Sequence, residues 1–544
     1  MPLPDNPPAP DWITSESIPN PGLDLTGLRL PVNTIGSELL DGITTVTPSV
    51  RYLSFYAWML SSYIHAKLPD DRKTFQAFTE KVESAIAIGN MLVNPQGTGL
   101  VGARGAAKLA RQSLSSVPLA GLVEQPATII YLNPNLQLRF LLPREEVPGL
   151  STQRGEPLAQ FIRTEMCETL LGKRFSAAET IPEANLEDLR EFGRLASLEL
   201  MTTSESELLI AGIIPLEPTT AKETARIRTY ATLLGLAQHH NQSPKEADFF
   251  SETLLLKRHL PSQFHAHLDS WLRHLTRDAL AVGHEYVLQE AVDVLGDLSH
   301  GKLMIANTHV VEHLCRDSVA SDTALRELGL LEDGEEAQSL PFAEMFARLQ
   351  SLVEQDSVIE SGLRRWSSTI TELKLISMIR NDRAIAVTLL PIVWCVAMLR
   401  AEAWPESDTN PFEGRPGFGW DLIGVHAVII PEIRRYVSED LPVLEVMKEL
   451  AMRTVDQHLR VSWSRMAVDS QHDVALLIAD GEEWQSRNEK HVQEYTAGRT
   501  DSRIGQAIKW LRQLNLIGDE GLTPRGAELY VKLCAGSPTP VGAK

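Results

Sequence analysis

Cysteine is scarce: Cys167, Cys315, Cys395 and Cys534 are the only four in 544 residues. No C-x-x-C pair occurs, which excludes a cysteine-rich zinc module and a thioredoxin-like redox site. Four widely spaced thiols make no disulfide framework for a chain this long, and a reducing cytoplasm is the expected compartment. Long apolar runs are scarce as well. The longest, AIAVTLLPIVWCVAML at 384–399, has 16 residues and is interrupted by Thr388 and Pro391. A spanning helix needs about 18 or more, so this run reads as a buried core helix kinked at Pro391, and no membrane span is expected. Residues 1–22 carry seven prolines but no basic n-region and no apolar h-region. They read as an extended lead-in rather than a signal peptide. Positive charge is in deficit, with 51 Lys+Arg against 71 Asp+Glu and a net charge of −20. A whole-chain electrostatic grip on nucleic acid or anionic lipid is therefore not expected, though a local basic face stays open. The nucleotide-binding G-x-x-x-x-G-K-[ST] loop and the hydrolase G-x-S-x-G elbow are both missing.

Hydrophobic residues make up 43% and charged residues 22% of the chain, enough to bury a sizeable core. At roughly 150 residues per domain the length suggests three or four domains. Helical periodicity dominates. Thr47-Pro48 reads as an N-cap followed by proline at the first helical position. Beyond it Tyr52, Phe55, Tyr56, Met59 and Tyr63 fall on one stripe, read as a packing face. A second helix runs over about 71–93, capped by the Asp70-Asp71 pair. Upstream of the aromatic stripe, Thr44, Thr45, Thr47 and Arg51 either line a polar pocket or satisfy loop backbone groups. The strongest strand signal is ATIIYLNPNLQLRFLL at 127–142, two β-prone runs about an Asn133-Pro134-Asn135 turn. Helical patterns then continue to about residue 404, with an acidic loop at 327–336. The stretch 405–419, PESDTNPFEGRPGFG, is the best internal boundary. No fixed-period repeat is present, which argues against a solenoid.

The C-terminal region carries the most readable signal. DVALLIADGEEW at 473–484 precedes a helical stretch near 489–495. An amphipathic helix follows, with Ile504, Ile508, Leu511 and Leu514 on one face. A tight turn at 518–521 and a Thr523-Pro524 cap lead into a last helix. The helix ending Trp510-Leu511-Arg512-Gln513-Leu514-Asn515-Leu516-Ile517, with the following Leu522-Thr523-Pro524-Arg525-Gly526, resembles a winged-helix domain. In DNA-binding members of that class the helix before the wing lies in the major groove. The resemblance thus implies a binding surface formed by Arg503, Gln506, Lys509, Arg512, Gln513 and Arg525. Arg and Gln suit bidentate base contacts and Lys suits phosphate. The wing carries Asp519 and Glu520 where a phosphate contact would favour Lys or Arg. From residue 473 onward acidic residues slightly outnumber basic ones, short of a DNA binder's basic footprint. Winged helices also dock proteins, and a protein partner is favoured over double-stranded DNA.

Three further patterns bear on chemistry. His309-Val310-Val311-Glu312-His313 matches H-x-x-E-H and resembles the inverted zinc-peptidase motif. In that reading His309 and His313 bind Zn²⁺, Glu312 activates water, and a downstream carboxylate such as Glu327 or Glu332 completes the site. Two partly exposed helix histidines account for the same five letters in a chain with 15 His. Gly97-Thr98-Gly99-Leu100-Val101-Gly102 is formally G-x-G-x-x-G, but no strand precedes it and no βαβ repeat follows. Its backbone, with Arg104 and Lys108, is suited to receiving an anion. His239, His240, His259, His265, His267, His274 and His284 recur without a carboxylate or thiolate at ligand spacing, and read as solvated or capping groups. Glu372-Leu373-Lys374 has nuclease-like spacing but lies in a helical pattern.

The expected fold is mainly α: a multi-helix body with a small β-hairpin element and a C-terminal winged helix-turn-helix. The expected organisation is a Pro-rich lead-in at 1–22, an N-terminal helical domain with the hairpin at 23–150 and a helical body at 151–404. A linker at 405–419, a helical connector at 420–470, the winged helix at 471–535 and a tail at 536–544 complete it. The expected function is a non-enzymatic cytoplasmic scaffold or regulator acting through the winged helix on a protein partner or DNA. The sequence permits a place as a subunit of a multi-gene bacterial system acting on foreign DNA, and also a homo-oligomer. No cofactor is expected; the alternative is a zinc-dependent hydrolase centred on His309, Glu312 and His313.

Overall fold

The computed structural model describes residues 24–111, 115–122, 126–253, 260–299, 303–355, 370–401, 424–468, 475–487 and 497–535. The lead-in at 1–22, the linker at 405–419, the helical stretch near 489–495, His259 and the tail at 536–544 lie outside the described residues. The described chain is mainly helical, with short two- and three-stranded antiparallel sheets, the mainly α architecture expected. It divides into two compact units, one of Met1–Ile35 with Leu268–Thr500 and one of Gly36–His267 with Asp501–Lys544. The 471–535 region therefore belongs to both: its strands Leu477–Asp480 and Glu483–Ser486 lie in the first unit, and everything from Asp501 lies in the second.

In the first unit Ala386–Ala401 is buried at every residue, Pro391 included. Arg383–Ala401 is long and apolar enough to cross a membrane, and 94% of its apolar window is buried within the protein. Its Trp394 indole donates to His284 Nε2 at 2.9 Å, and the other ring nitrogen of His284 meets Thr454 Oγ1 at 2.7 Å. An imidazole that accepts on Nε2 carries its proton on Nδ1, so His284 is neutral and joins three helices. Burial pushes its pKa down to about 3. Three buried ion pairs do similar work. Arg400 meets Glu372 at 2.9 Å, and Glu372 also accepts from Thr276 Oγ1 at 2.9 Å. Arg29 pairs with Asp278 and Glu285, each at 2.7 Å. Glu372 of the E-x-K pattern is thus half of an internal ion pair.

In the second unit the aromatic stripe of Arg51–His65 is buried throughout: Tyr52, Phe55, Tyr56, Met59 and Tyr63 all face the core. Arg72–Val93 begins at Asp71, whose carboxylate accepts from the amides of Lys73 and Thr74. It crosses Leu186–Leu195 at a glycine pair. A Cβ on Gly89 would sit 2.7 Å from the Leu189 carbonyl, and one on Gly193 would sit 2.3 Å from Gly89 backbone. Only two glycines let these backbones meet so closely.

Two local expectations need correction. Residues 127–142 do not form a hairpin. They fold as short helices, Ala127–Ile130 and Leu132–Gln137, and only Leu141–Leu142 is a strand, paired with Gly149–Leu150. The buried carboxylate of Glu83 accepts from the amides of Ala127 and Thr128 at 2.7 and 2.8 Å, capping a helix start that Ile129 and Ile130 alone would disfavour. Likewise Thr47 is not the N-cap of the aromatic helix, which starts at Arg51 with Val50 at the cap position. Thr47 instead closes a turn, donating its hydroxyl to the Thr44 carbonyl at 2.8 Å. Arg51 lines no open pocket; it is buried against Glu205 at 2.9 Å and the Ser197 carbonyl.

Candidate binding site

The Asp501–Ala535 segment forms a helix at Ile504–Gln513, a two-stranded hairpin at Ile517–Gly518 and Gly521–Leu522, and a closing helix at Pro524–Ala535. The first helix buries Ile504, Ala507, Ile508, Trp510 and Leu511. Its N-cap, Arg503, adopts a left-handed conformation at φ 64°, and its amide donates to Asp501 at 2.8 Å.

The polar residues of this helix are largely engaged within the unit. Gln506 Nε2 and Trp510 Nε1 both donate to the Thr47 carbonyl, at 2.7 and 3.0 Å. Gln513 donates to the Pro48 carbonyl at 3.2 Å and accepts from the Val50 amide at 2.9 Å. Together they satisfy the turn just before the aromatic helix, whose backbone groups would otherwise be buried unpaired. Arg512 is half-exposed and paired with Asp519 of the hairpin turn. Lys509 lies beside the glycine loop, its Nζ 3.6 Å from where a Gly99 Cβ would be. It has no ion pair among the described residues, and burial lowers its pKa. Burial also lowers that of Arg503.

The glycine loop follows the helix Arg72–Val93 and precedes Ala103–Ala110. Gly99 and Gly102 take left-handed φ of 78° and 77°, and the Val101 amide donates to the Tyr52 hydroxyl at 3.0 Å. No strand leads into it and no parallel sheet exists among the described residues, so the arrangement is not a dinucleotide fold. Arg104 and Lys108 stand exposed on the following helix.

The closing helix is built differently. Thr523 accepts from the Gly526 amide at 3.0 Å and donates to the Asn515 carbonyl at 2.7 Å, which caps the helix and fixes the hairpin's exit. A Cβ on Gly526 would lie 2.0 Å from the Leu516 carbonyl, so the close approach requires glycine. Arg525 donates to Ser206 Oγ at 2.9 Å and lies 4.0 Å from Glu207. Ser206 in turn donates to the Leu514 carbonyl at 3.1 Å. These bonds hold Pro524–Ala535 alongside Thr203–Ile213 without closing the space between them. The result is a groove of about 690 Å³. Thr203, Glu207, Ile210, Ala211 and Ile214 form one wall, at i, i+4, i+7, i+8 and i+11 of one helical face. Arg525, Glu528, Leu529 and Lys532, at i, i+3, i+4 and i+7, form the other. Leu516 lies between, and Leu216 at the lip is 53% exposed.

Of the six residues expected to bind a partner or DNA, only Arg525 lines this groove; Arg503, Gln506, Lys509, Arg512 and Gln513 lie on or beside the other helix. The groove residues Ile210, Leu216, Leu529 and Lys532 went unread in the sequence. The signal available was the ring of apolar residues around 208–216, wider than the single stripe a one-faced helix needs.

The H-x-x-E-H pattern lies on the eight-residue helix Asn307–Leu314. His309 and Glu312 are exposed, and His313 Nδ1 sits 3.2 Å from Arg316 Nη1. Partial burial, then the nearby Arg316, lower the His313 pKa. Glu327 lies 3.7 Å from Lys374, and Glu332 is exposed. Among the described residues no group of three His, Cys, Asp or Glu side chains is placed to hold a metal ion. A catalytic zinc needs three protein ligands, of which the pattern itself supplies two, His309 and His313. The upstream histidines also differ from expectation: His267, His274 and His284 are buried core residues rather than solvated ones. His267 bonds Thr229 Oγ1 at 2.7 Å, and burial pushes its pKa down to about 3.

No protein-family model, curated protein or solved structure matches this chain.

Proposed function

We propose that this protein is a non-enzymatic adaptor that binds a protein partner in the groove between Thr203–Ile213 and Pro524–Ala535. The observation that carries this reading is the groove itself: two helical faces that bring apolar Ile210, Ala211, Leu216 and Leu529 together with charged Glu207, Arg525, Glu528 and Lys532, and leave open space between them. Exposed apolar surface of this kind, rimmed by polar residues, marks interaction sites. The reading keeps the C-terminal module as the binding element and moves the contact from the first helix to the closing helix.

Double-stranded DNA is the second reading, favoured by one observation: Lys509 has no ion pair among the described residues and lies beside the glycine loop. One pair of measurements separates the two. Affinity capture from cells with the wild type and with Leu216→Asp should recover a partner that the variant loses, at unchanged thermal midpoint, because Leu216 is half exposed. Fluorescence anisotropy with labelled duplex DNA should show no salt-dependent binding. Identical captures for both proteins, with DNA binding lost only in Lys509→Glu, would transfer the function to DNA.

A further inference from the structure

We infer that the occupant of the groove is an amphipathic helix of the partner protein with a basic residue flanking its apolar face; this rests on the protein-binding reading above. The shape argues for a helix. The Thr203–Ile214 wall spans eleven residue steps, about 17 Å or three turns at 1.5 Å per residue. Both walls present the i, i+3/i+4, i+7 ridges that a third helix packs into. A small ligand is usually engulfed over most of its surface. Here Thr203, Ala211 and Leu216 are all exposed, so the apolar strip opens to solvent along one wall.

Charge argues for the basic flank. Glu528 and Lys532 neutralise each other at 2.6 Å. Arg525 is directed to Ser206 and lies 4.0 Å from Glu207. Glu217, beside the exposed Leu216, has no ion pair among the described residues. The uncompensated charge at the rim is thus negative, in a chain whose net charge of −20 attracts a basic partner at longer range.

The test uses fluorescein-labelled helical peptides of about 18 residues, long enough to hold some helix alone. Each carries leucines at i, i+3, i+4 and i+7, flanked in one peptide by lysines and in the other by glutamates. Anisotropy against the full chain should show tighter binding of the lysine peptide by about fivefold, the size of one exposed ion pair, with the gap closing at high salt. Glu217→Lys should reverse the preference. Equal binding of both peptides to the wild type, or an unchanged preference in Glu217→Lys, overturns the basic-flank assignment while leaving the groove as a docking site. Failure of both peptides to bind, or binding indifferent to Leu216→Asp, overturns the groove reading itself.

Discussion

Ile504–Gln513 and Pro524–Ala535 are neighbours of similar length joined by one short hairpin, and both carry basic side chains. The first has little left to offer a partner. Gln506, Trp510 and Gln513 bond the backbone of residues 47–50, and Arg512 is matched by Asp519. The second lines the groove with Arg525, Glu528, Leu529 and Lys532, of which Glu528 and Lys532 are exposed. Residue type therefore does not distinguish a binding helix from a structural one. Glutamines and arginines that would read base edges on a free helix serve here to satisfy a buried turn. What distinguishes the two is whether the facing backbone already needs their hydrogen bonds.

The comparison breaks most readily at Trp510. Its side chain is fully buried and its indole nitrogen bonds the Thr47 carbonyl. Trp510→Ala leaves a cavity and removes one of the two donors to the Thr47 carbonyl, Gln506 remaining, and the expected cost is about 3–5 kcal/mol, mostly from the lost packing. Thermal and urea unfolding would register it as a large fall in midpoint. An unchanged midpoint would mean that the helix is not anchored on the 47–50 turn, and the contrast between the two helices would lapse.

Gln513→Ala is the intermediate case. It removes a donor to Pro48 and an acceptor for Val50 while leaving the core packed. The expected loss is about 1–3 kcal/mol, since two backbone groups lose their partner in a half-buried place. Gln513→Glu keeps the acceptor for Val50 but sets a carboxylate against the Pro48 carbonyl, so it should not restore stability. In both variants the peptide affinity of the groove should stay at the wild-type level. A parallel loss of affinity would show that the two helices act as one surface.

The sequence disclosed the periodic elements and missed those set by distant partners. The aromatic stripe from Tyr52 to Tyr63, the Asp71 cap, the buried 386–401 helix and the Thr523 cap were all legible, because each depends on spacing or on a residue within a turn of its target. The 127–142 segment was misread because a carboxylate more than forty residues upstream, Glu83, fixes its helix start. The groove was invisible for the same reason: its walls come from residues 203–217 and 516–532, and nothing local announces that they meet. The H-x-x-E-H pattern is the opposite case. Local spacing put two imidazoles on one helix, but among the described residues no group of three ligand side chains is placed to hold a metal.

The smallest effect tests the contrast most sharply. Arg512 is the most exposed cation of the first helix and the one best placed for an external contact, with side-chain exposures of 49% for it and 87% for its partner Asp519. An ion pair this open is worth well under about 1 kcal/mol, because water screens it and two long side chains must be held in register. Arg512→Ala should therefore leave the thermal midpoint within error and the groove's peptide affinity unchanged. A change in stability would make the Arg512–Asp519 pair part of what holds the hairpin. Loss of partner capture at constant stability would mean instead that Arg512 leaves Asp519 for the partner, placing an energetically open contact on the helix whose glutamines are engaged within the unit. Repeating the capture with Asp519→Asn separates these outcomes. Releasing Arg512 from its internal partner strengthens capture only if the guanidinium has an external one.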